Sequence, residues 1–213
     1  MRKIFVAFAA LLLAVPAAAQ QRASADPDNA VKGGGVFPAG WSARVDRDQP
    51  AARVVFTTMG DGFHAIMGPA AVFYNPAWTK AGDYAVSTRF TQTKAPVHAE
   101  AYGIVLGGSD LAGAGQAYTY FLVRGTGQYF IATRKGAERT VLVNWTPNEA
   151  VQKQDAAGKQ VNVLGARVAG DEVIFTVNGT EVARRPKSEV ATDGIFGFRV
   201  NHNLDVHIDQ VKR

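Results

Sequence analysis

Short alternating or apolar runs dominate the chain from Trp41 onward, and turn-forming residues separate them. In residues 84–92, for example, Tyr84, Val86 and Phe90 share one face, as the two-residue period of a β-strand requires. Repeated short strands with turn signals between them are typical of an antiparallel sandwich or barrel. The strands are predicted at residues 41–45, 53–58, 62–67, 71–74, 84–92, 101–106, 118–123, 129–134, 140–143, 161–168, 173–177, 181–184, 195–200 and 204–211.

Two tight hairpins are predicted from glycine-containing turns. Asn178-Gly179 joins two of the predicted strands, and this dipeptide is the strongest short hairpin signal because both residues accept positive φ. Gly125 and Gly127 flank a second turn of the same kind. Helix is expected at one place only, where residues 146–149 have the form of a capping box and residues 150–154 could add one or two helical turns.

The N-terminal region has the pattern of an export signal. Two basic residues precede an apolar run at residues 4–15, and small residues then lead to a predicted cleavage point before Gln20. The apolar run is too short to span a bilayer comfortably, so residues 1–19 are predicted to be a cleaved signal peptide. A periplasmic or secreted location follows, with a flexible leader at residues 20–36 and one folded domain at residues 37–213.

Composition excludes several classes of protein. The chain contains no cysteine, so disulfides are not available to it. Loss of Arg2 and Lys3 with the signal would lower the formal net charge from +5 to +3, and the remaining charges are scattered. Nucleic-acid binding needs a basic stripe, and none is present. No membrane span is predicted after cleavage of the signal, and no pattern indicates an oligomeric state.

Common catalytic and metal-binding motifs do not occur. Neither a cysteine nucleophile nor a Gly-x-Ser-x-Gly elbow is present, and the histidines lack zinc-ligand spacing. No cofactor or metal is therefore predicted. Calcium stays open as a minor alternative, because Asp110, Asn201, Asn203 and Asp205 are potential oxygen ligands.

Glycoside hydrolysis would require two carboxyl groups about 5–10 Å apart. The predicted strands are almost free of acidic residues, and Glu100 is the one carboxylate at the edge of a central strand. Glu100 is therefore the candidate catalytic acid or base, and a partner would have to come from another strand.

Ligand binding has more candidates than catalysis. Sugars bind to flat aromatic faces and to planar polar side chains. Tyr118, Tyr120 and Arg124 alternate with Phe121 and Val123, which predicts one polar face and one core face for this strand. The predicted ligand-binding residues are Tyr102, Tyr118, Tyr120, Arg124, Arg199 and Asn201. Trp78 and Trp145 are further aromatic candidates.

The strand and turn pattern of residues 101–108, 118–124, 178–182 and 194–199 resembles the concanavalin A-like lectin/glucanase superfamily. Within it, the chain is most similar to bacterial exported domains of the 3-keto-disaccharide hydrolase type, which are family 16 glycoside hydrolase-like. The resemblance covers roughly residues 56–213. It implies a jelly-roll sandwich of two antiparallel sheets, one of them concave and able to hold a glycan.

The chain departs from that family at functional positions. Ala101-Tyr102 precede Gly103 where the hydrolases tend to have Ser-Gly-Ile, and Asn201 and His202 stand near the place of a Gln-x-His. The superfamily's glucanase carboxylate motif is missing. Three hypotheses follow. The first is an exported domain that binds a carbohydrate or another small polar ligand on the concave sheet. The second is a glycosidase-type enzyme that uses Glu100, and the third is a structural or protein-interaction domain of the cell envelope without a small ligand.

Overall fold

The computed structural model describes Val31, Gly33, residues 36–46 and residues 51–213, with Ala52 described by its backbone alone. The predicted signal peptide, residues 1–19, lies outside the described residues. So does nearly all of the predicted leader, residues 20–36.

Fourteen strands form within the described residues, and each predicted strand has a counterpart among them. They are β1 (Ser42–Val45), β2 (Val54–Met59), β3 (Gly62–Met67), β4 (Ala71–Lys80), β5 (Tyr84–Gln92), β6 (Ala101–Ser109), β7 (Ala117–Arg124), β8 (Gln128–Lys135), β9 (Glu138–Pro147), β10 (Gln160–Ala169), β11 (Glu172–Val177), β12 (Thr180–Pro186), β13 (Gly194–Val200) and β14 (Asp205–Lys212). No helix in the described part of the chain is long and apolar enough to cross a membrane.

The strands form two seven-stranded antiparallel sheets. The order in the first sheet is β1-β4-β13-β6-β7-β8-β9, and in the second it is β12-β11-β10-β5-β14-β3-β2. Strands distant in sequence are neighbours, as when β13 lies between β4 and β6. The predicted all-β jelly-roll sandwich of two antiparallel sheets is thus confirmed.

The main hydrophobic core lies between the two sheets. Phe121 and Val123 are fully buried in it, as the alternation in β7 predicts. A smaller apolar cluster covers the other face of the first sheet and includes Tyr120, Leu122 and Phe130. We call this second surface the outer face of the first sheet, and it positions the candidate site.

The helix expected at residues 150–154 does not form, and that prediction is wrong. β9 continues through Pro147, and the chain then makes a turn in which the Ala150 N–H donates to Asn148 Oδ1 at 2.9 Å. Side chains from β10 hold the segment from the other side, because Asn162 Oδ1 accepts the Gln152 N–H at 3.0 Å. Local side-chain bonds of this kind compete with helix formation.

Candidate binding site

A cavity of about 550 Å³ lies on the outer face of the first sheet. This volume is within the range of about 300–1,000 Å³ that is usual for small-molecule sites. Five residues proposed from the sequence line it: Glu100, Tyr120, Arg124, Arg199 and Asn201. The structure therefore brings together most of the candidate set, from strands β7 and β13 and from the residues that precede β6 and follow β13.

Strand order and register explain this convergence. β13, β6 and β7 are consecutive neighbours, so a residue of one strand lies directly beside a residue of the next. Arg199 is paired with Gly103, which is paired with Leu122. Two residues along the ladder, and so on the same face, Ala101 is paired with Arg124. Residues separated by almost a hundred positions in sequence thus line the same cavity.

Arg199 forms a two-pronged ion pair with Asp46, the residue after β1. The Nη1 atom of Arg199 lies 3.2 Å from Asp46 Oδ1, and Nη2 lies 2.6 Å from Oδ2. Burial alone would raise the pKa of Asp46, but the charge and hydrogen bonds of Arg199 outweigh it and hold that pKa below its ordinary value. The Arg199 guanidinium also lies 5.5 Å from the ring centroid of Tyr120.

Arg124 has a different environment, in which both identified partners are uncharged. Its Nε donates to Gln128 Oε1 at 2.8 Å, and its guanidinium carbon lies 4.2 Å from the ring centroid of Trp145. Burial lowers the pKa of Arg124. The guanidinium and the indole together form one wall of the cavity.

Asn201 lines the cavity and carries a buried acceptor atom. Its backbone N–H donates to the Ala101 carbonyl at 2.9 Å, which fixes the residue at the end of β13. Its side-chain Oδ1 is buried and has no hydrogen-bond partner within the described structure. A buried polar atom without a partner is costly, so a ligand hydroxyl or amide donor would be stabilised if a rotation of the Asn201 side chain brought this oxygen to the cavity surface.

Tyr102 does not belong to this surface, which corrects the sequence-based assignment. It is fully buried in the core between the sheets, paired with Val123 and Val200. Its hydroxyl donates to Gln160 Oε1 at 2.9 Å. The alternation of β6 explains this, because Tyr102, Ile104 and Leu106 all point into the core.

Replacing Tyr102 by Phe is expected to lower the free energy of unfolding by about 1–3 kcal/mol, because Gln160 loses a buried donor. Ligand affinity should not change. Urea unfolding and calorimetric titration of the same preparations check the two halves of this prediction. A Phe variant with unchanged stability and weaker ligand binding would show instead that Tyr102 contacts the ligand.

Tyr118 shares the outer face with Tyr120 but is covered, which corrects its assignment as a ligand-contacting residue. Its exposed fraction is 2%, and it packs in the same cluster as the buried Leu111 of the β6–β7 loop. Arg44 holds that loop down by donating to the Gly113 carbonyl at 2.8 Å. Tyr118 supports Tyr120, with ring centroids 5.7 Å apart.

Several residues on β8 and β9 also line the cavity, and Trp145 is the one among them that the sequence offered as an aromatic candidate. They are Phe130, Arg139, Val141, Asn144 and Trp145. Two irregularities in the β8–β9 pairing explain why strict alternation does not find them. Leu142 and Val143 both pack against the main core, although they are consecutive, and the next two residues both line the cavity.

Glu100 is the one carboxylate among the described residues that line the cavity. Hydrolysis through two carboxyl groups would need a second one about 5–10 Å from Glu100. The nearby carboxylate of Asp46 accepts hydrogen bonds from Arg199 with both of its oxygens. The prediction that Glu100 acts as a catalytic acid or base stays a prediction.

A larger cavity, of about 760 Å³, lies beside the turn after β9. Its described lining is mostly loop residues such as Thr126, Asn148 and Lys153, and it contains no aromatic side chain. Size alone would favour it as the ligand site. We favour the smaller cavity because it combines aromatic faces with convergent polar groups, which is the usual composition of a specific site.

The fold is shared with carbohydrate-active proteins. No protein-family model and no curated protein sequence matches this chain. A carbohydrate-binding module of Bacillus subtilis, CBM66, is similar in structure, with a TM-score of 0.60 and 13% identity over 83% of this chain and 98% of that one. A β-glucanase of Bacillus licheniformis has a TM-score of 0.56 and 10% identity over 84% of this chain and 95% of that one. A GH16 protein from a mixed linkage glucan PUL of Bacteroides ovatus, solved in complex with a G4G4G3G product, is also similar. Its TM-score is 0.55, with 10% identity over 83% of this chain and 95% of that one.

These similarities define the class of fold. All three structures are concanavalin A-like jelly rolls, and so is this chain. At 10–13% identity the similarity establishes architecture and transfers no individual residue. Function has to be argued from the cavity of this chain.

Proposed function

We propose that this protein binds carbohydrate non-covalently in the cavity on the outer face of its first sheet. The observation that carries the proposal is the composition of that cavity. Trp145 provides a half-buried aromatic face, and Phe130 and Tyr120 line the cavity with only 6% and 7% of their surface exposed. Arg124 and Asn201 provide polar groups in the same lining. Sugar rings need this combination, since their apolar faces stack on aromatic rings and their hydroxyls need planar polar partners.

The similar structures support the proposal without deciding it. They include a carbohydrate-binding module, so the fold is one that is used for sugar binding. Binding is favoured over hydrolysis because the described cavity lining contains one carboxylate. Export to the periplasm or the medium is part of the proposal, and the N-terminal sequence of the mature protein tests it.

Replacing Asn201 by Ala provides a test of the site. A glycan array identifies a binding sugar, and titration calorimetry then compares the variant with the wild type. We expect binding about 5–10-fold weaker, the equivalent of one hydrogen bond of about 1–1.5 kcal/mol. Stability should not fall, because the substitution removes an acceptor that has no partner in the described structure.

Asn148→Ala is a matched control, since Asn148 lies in the turn after β9 and outside the cavity. It should leave affinity unchanged. A protein that binds no glycan on the array, or an Asn201 variant that binds as the wild type does, would refute the proposed site.

A further inference from the structure

The charged groups around the cavity are mostly cationic. Arg124, Arg139 and Arg199 line it, with Glu100 as the one lining carboxylate among the described residues. We propose that the cavity selects acidic glycans, in which a sugar carboxylate is bound by guanidinium groups while the ring packs on the aromatic wall. This inference rests on the proposed carbohydrate-binding function and specifies its ligand class.

The three arginines are not equivalent. Arg199 already has Asp46 as a bidentate carboxylate partner, with the shorter contact at 2.6 Å. Its role is to position the floor of the cavity beside Tyr120. It contributes less to the attraction of a second anion, because the charge of Asp46 offsets its own.

Arg124 is the group whose environment an anion would improve most. It is half-buried against the neutral side chains of Gln128 and Trp145, and burial lowers its pKa. A guanidinium removed from water without a compensating charge is electrostatically under-stabilised. A sugar carboxylate in the cavity would supply that charge through a planar, two-pronged contact.

Arg139 places a second cation at the exposed rim. It lies on β9, opposite Arg134 of β8, and its side chain is exposed while it lines the cavity. An exposed cation at the entrance attracts anions, and salt screens that attraction. The two arginines thus make a deep and a peripheral contact for acidic sugars.

Aromatic groups distinguish this site from a simple anion site. The Trp145 ring lies 5.0 Å from Phe130, centroid to centroid, and Tyr120 lies 6.0 Å from Phe130. The half-buried Trp145 ring, backed by these two buried rings, offers nothing to a small inorganic anion but matches the apolar face of a pyranose. A ligand with both a sugar ring and a carboxylate would contact the aromatic residues and the arginines of the cavity together.

Matched pairs of glycans test the inference. Short oligomers of galacturonate, guluronate and mannuronate are compared with their carboxyl-reduced forms, which keep the ring and the linkage and replace the carboxylate by a primary alcohol. Titration calorimetry at low and high NaCl should show at least one acidic oligomer binding about 10-fold more tightly than its reduced partner. High salt should reduce this preference.

Three variants locate the effect. Arg124→Gln and Arg139→Gln should each reduce the preference for the acidic oligomer. Arg167→Gln is the matched control, because Arg167 is exposed on β10, in the second sheet and away from the cavity. It should leave the preference unchanged.

The outcomes separate this inference from the proposed function. Equal binding of acidic and reduced oligomers would overturn the acidic preference and leave carbohydrate binding in place. Binding of no glycan at all would overturn both. Polyglutamate binding as tightly as the acidic sugars, or an Arg167 variant as impaired as the other two, would show diffuse attraction to polyanions and would also overturn the acidic-glycan site.

Discussion

Replacing Asp46 by Asn is expected to lower the free energy of unfolding by about 2–4 kcal/mol at pH 7, near the lower end of the range for a broken buried ion pair. The side chain of Arg199 is only 12% exposed, so its charge would lose its partner in a place that water reaches poorly. Asp46 itself is 33% exposed, and solvent therefore moderates the loss.

The pH dependence of this effect has a defined sign. The pKa of Asp46 is lower in the folded protein than its ordinary value near 3.8, through the charge and hydrogen bonds of Arg199 acting against burial. A carboxyl group with a depressed folded pKa contributes stability above its unfolded pKa and loses that contribution as pH falls through the folded value. The difference between wild type and Asp46→Asn should be constant above about pH 5 and should shrink below about pH 4.

Urea unfolding followed by tryptophan fluorescence at several pH values measures this difference. Asp209→Asn is the matched control, because Asp209 pairs with Arg89 at 2.6 Å while both side chains are about a third exposed, at 31% and 38%. Breaking that exposed pair should destabilise the fold much less than the loss of Asp46 does. Equal losses of unfolding free energy in the two variants would show that the Asp46–Arg199 pair stabilises the fold no more than an exposed ion pair does.

Replacing Trp145 by Ala is expected to weaken glycan binding roughly 30-fold, or about 2 kcal/mol, as is usual for a central tryptophan of a binding surface. Trp145 stacks near Arg124 and Phe130 and presents its remaining surface to the cavity. The variant loses the flat face on which a sugar ring would pack, and it also releases Arg124 from its position.

Trp145→Phe is the matched control for this prediction. It keeps a smaller aromatic face and should bind with an affinity between those of the wild type and the Ala variant. Calorimetry gives the affinities, and urea unfolding shows whether the two variants remain folded. Affinity within two-fold of the wild type in a folded Ala variant would exclude Trp145 from the site.

The fold could be predicted from the sequence because its signals are local. Alternation in β7 separates Phe121 and Val123 from Tyr120 and Arg124, and the structure places the two sets on opposite faces. The Asn178-Gly179 turn between β11 and β12 is equally local, with Asn178 at a φ of 51° and Gly179 at 84°. Such patterns need no knowledge of the rest of the molecule.

The candidate site was less predictable because it depends on pairing between distant strands. The Asp46–Arg199 ion pair joins residues 153 positions apart, and nothing near either residue indicates the other. Trp145 faces the cavity through irregular pairing of β8 with β9, which alternation does not reveal. Tyr102 was misassigned because its hydroxyl group suggested a ligand contact, whereas it shares the core face of β6 with Ile104 and Leu106.

Nuclear magnetic resonance of the three tryptophan indoles tests the central claim most directly. Trp41 is buried in the main core, Trp78 lies beside Arg213 away from the cavity, and Trp145 lines the cavity. Titration with a glycan selected on the array should shift the indole N–H signal of Trp145 and leave the other two in place. A shift of Trp78 alone, or a saturable glycan interaction that leaves Trp145 unmoved, would contradict the assignment of the site.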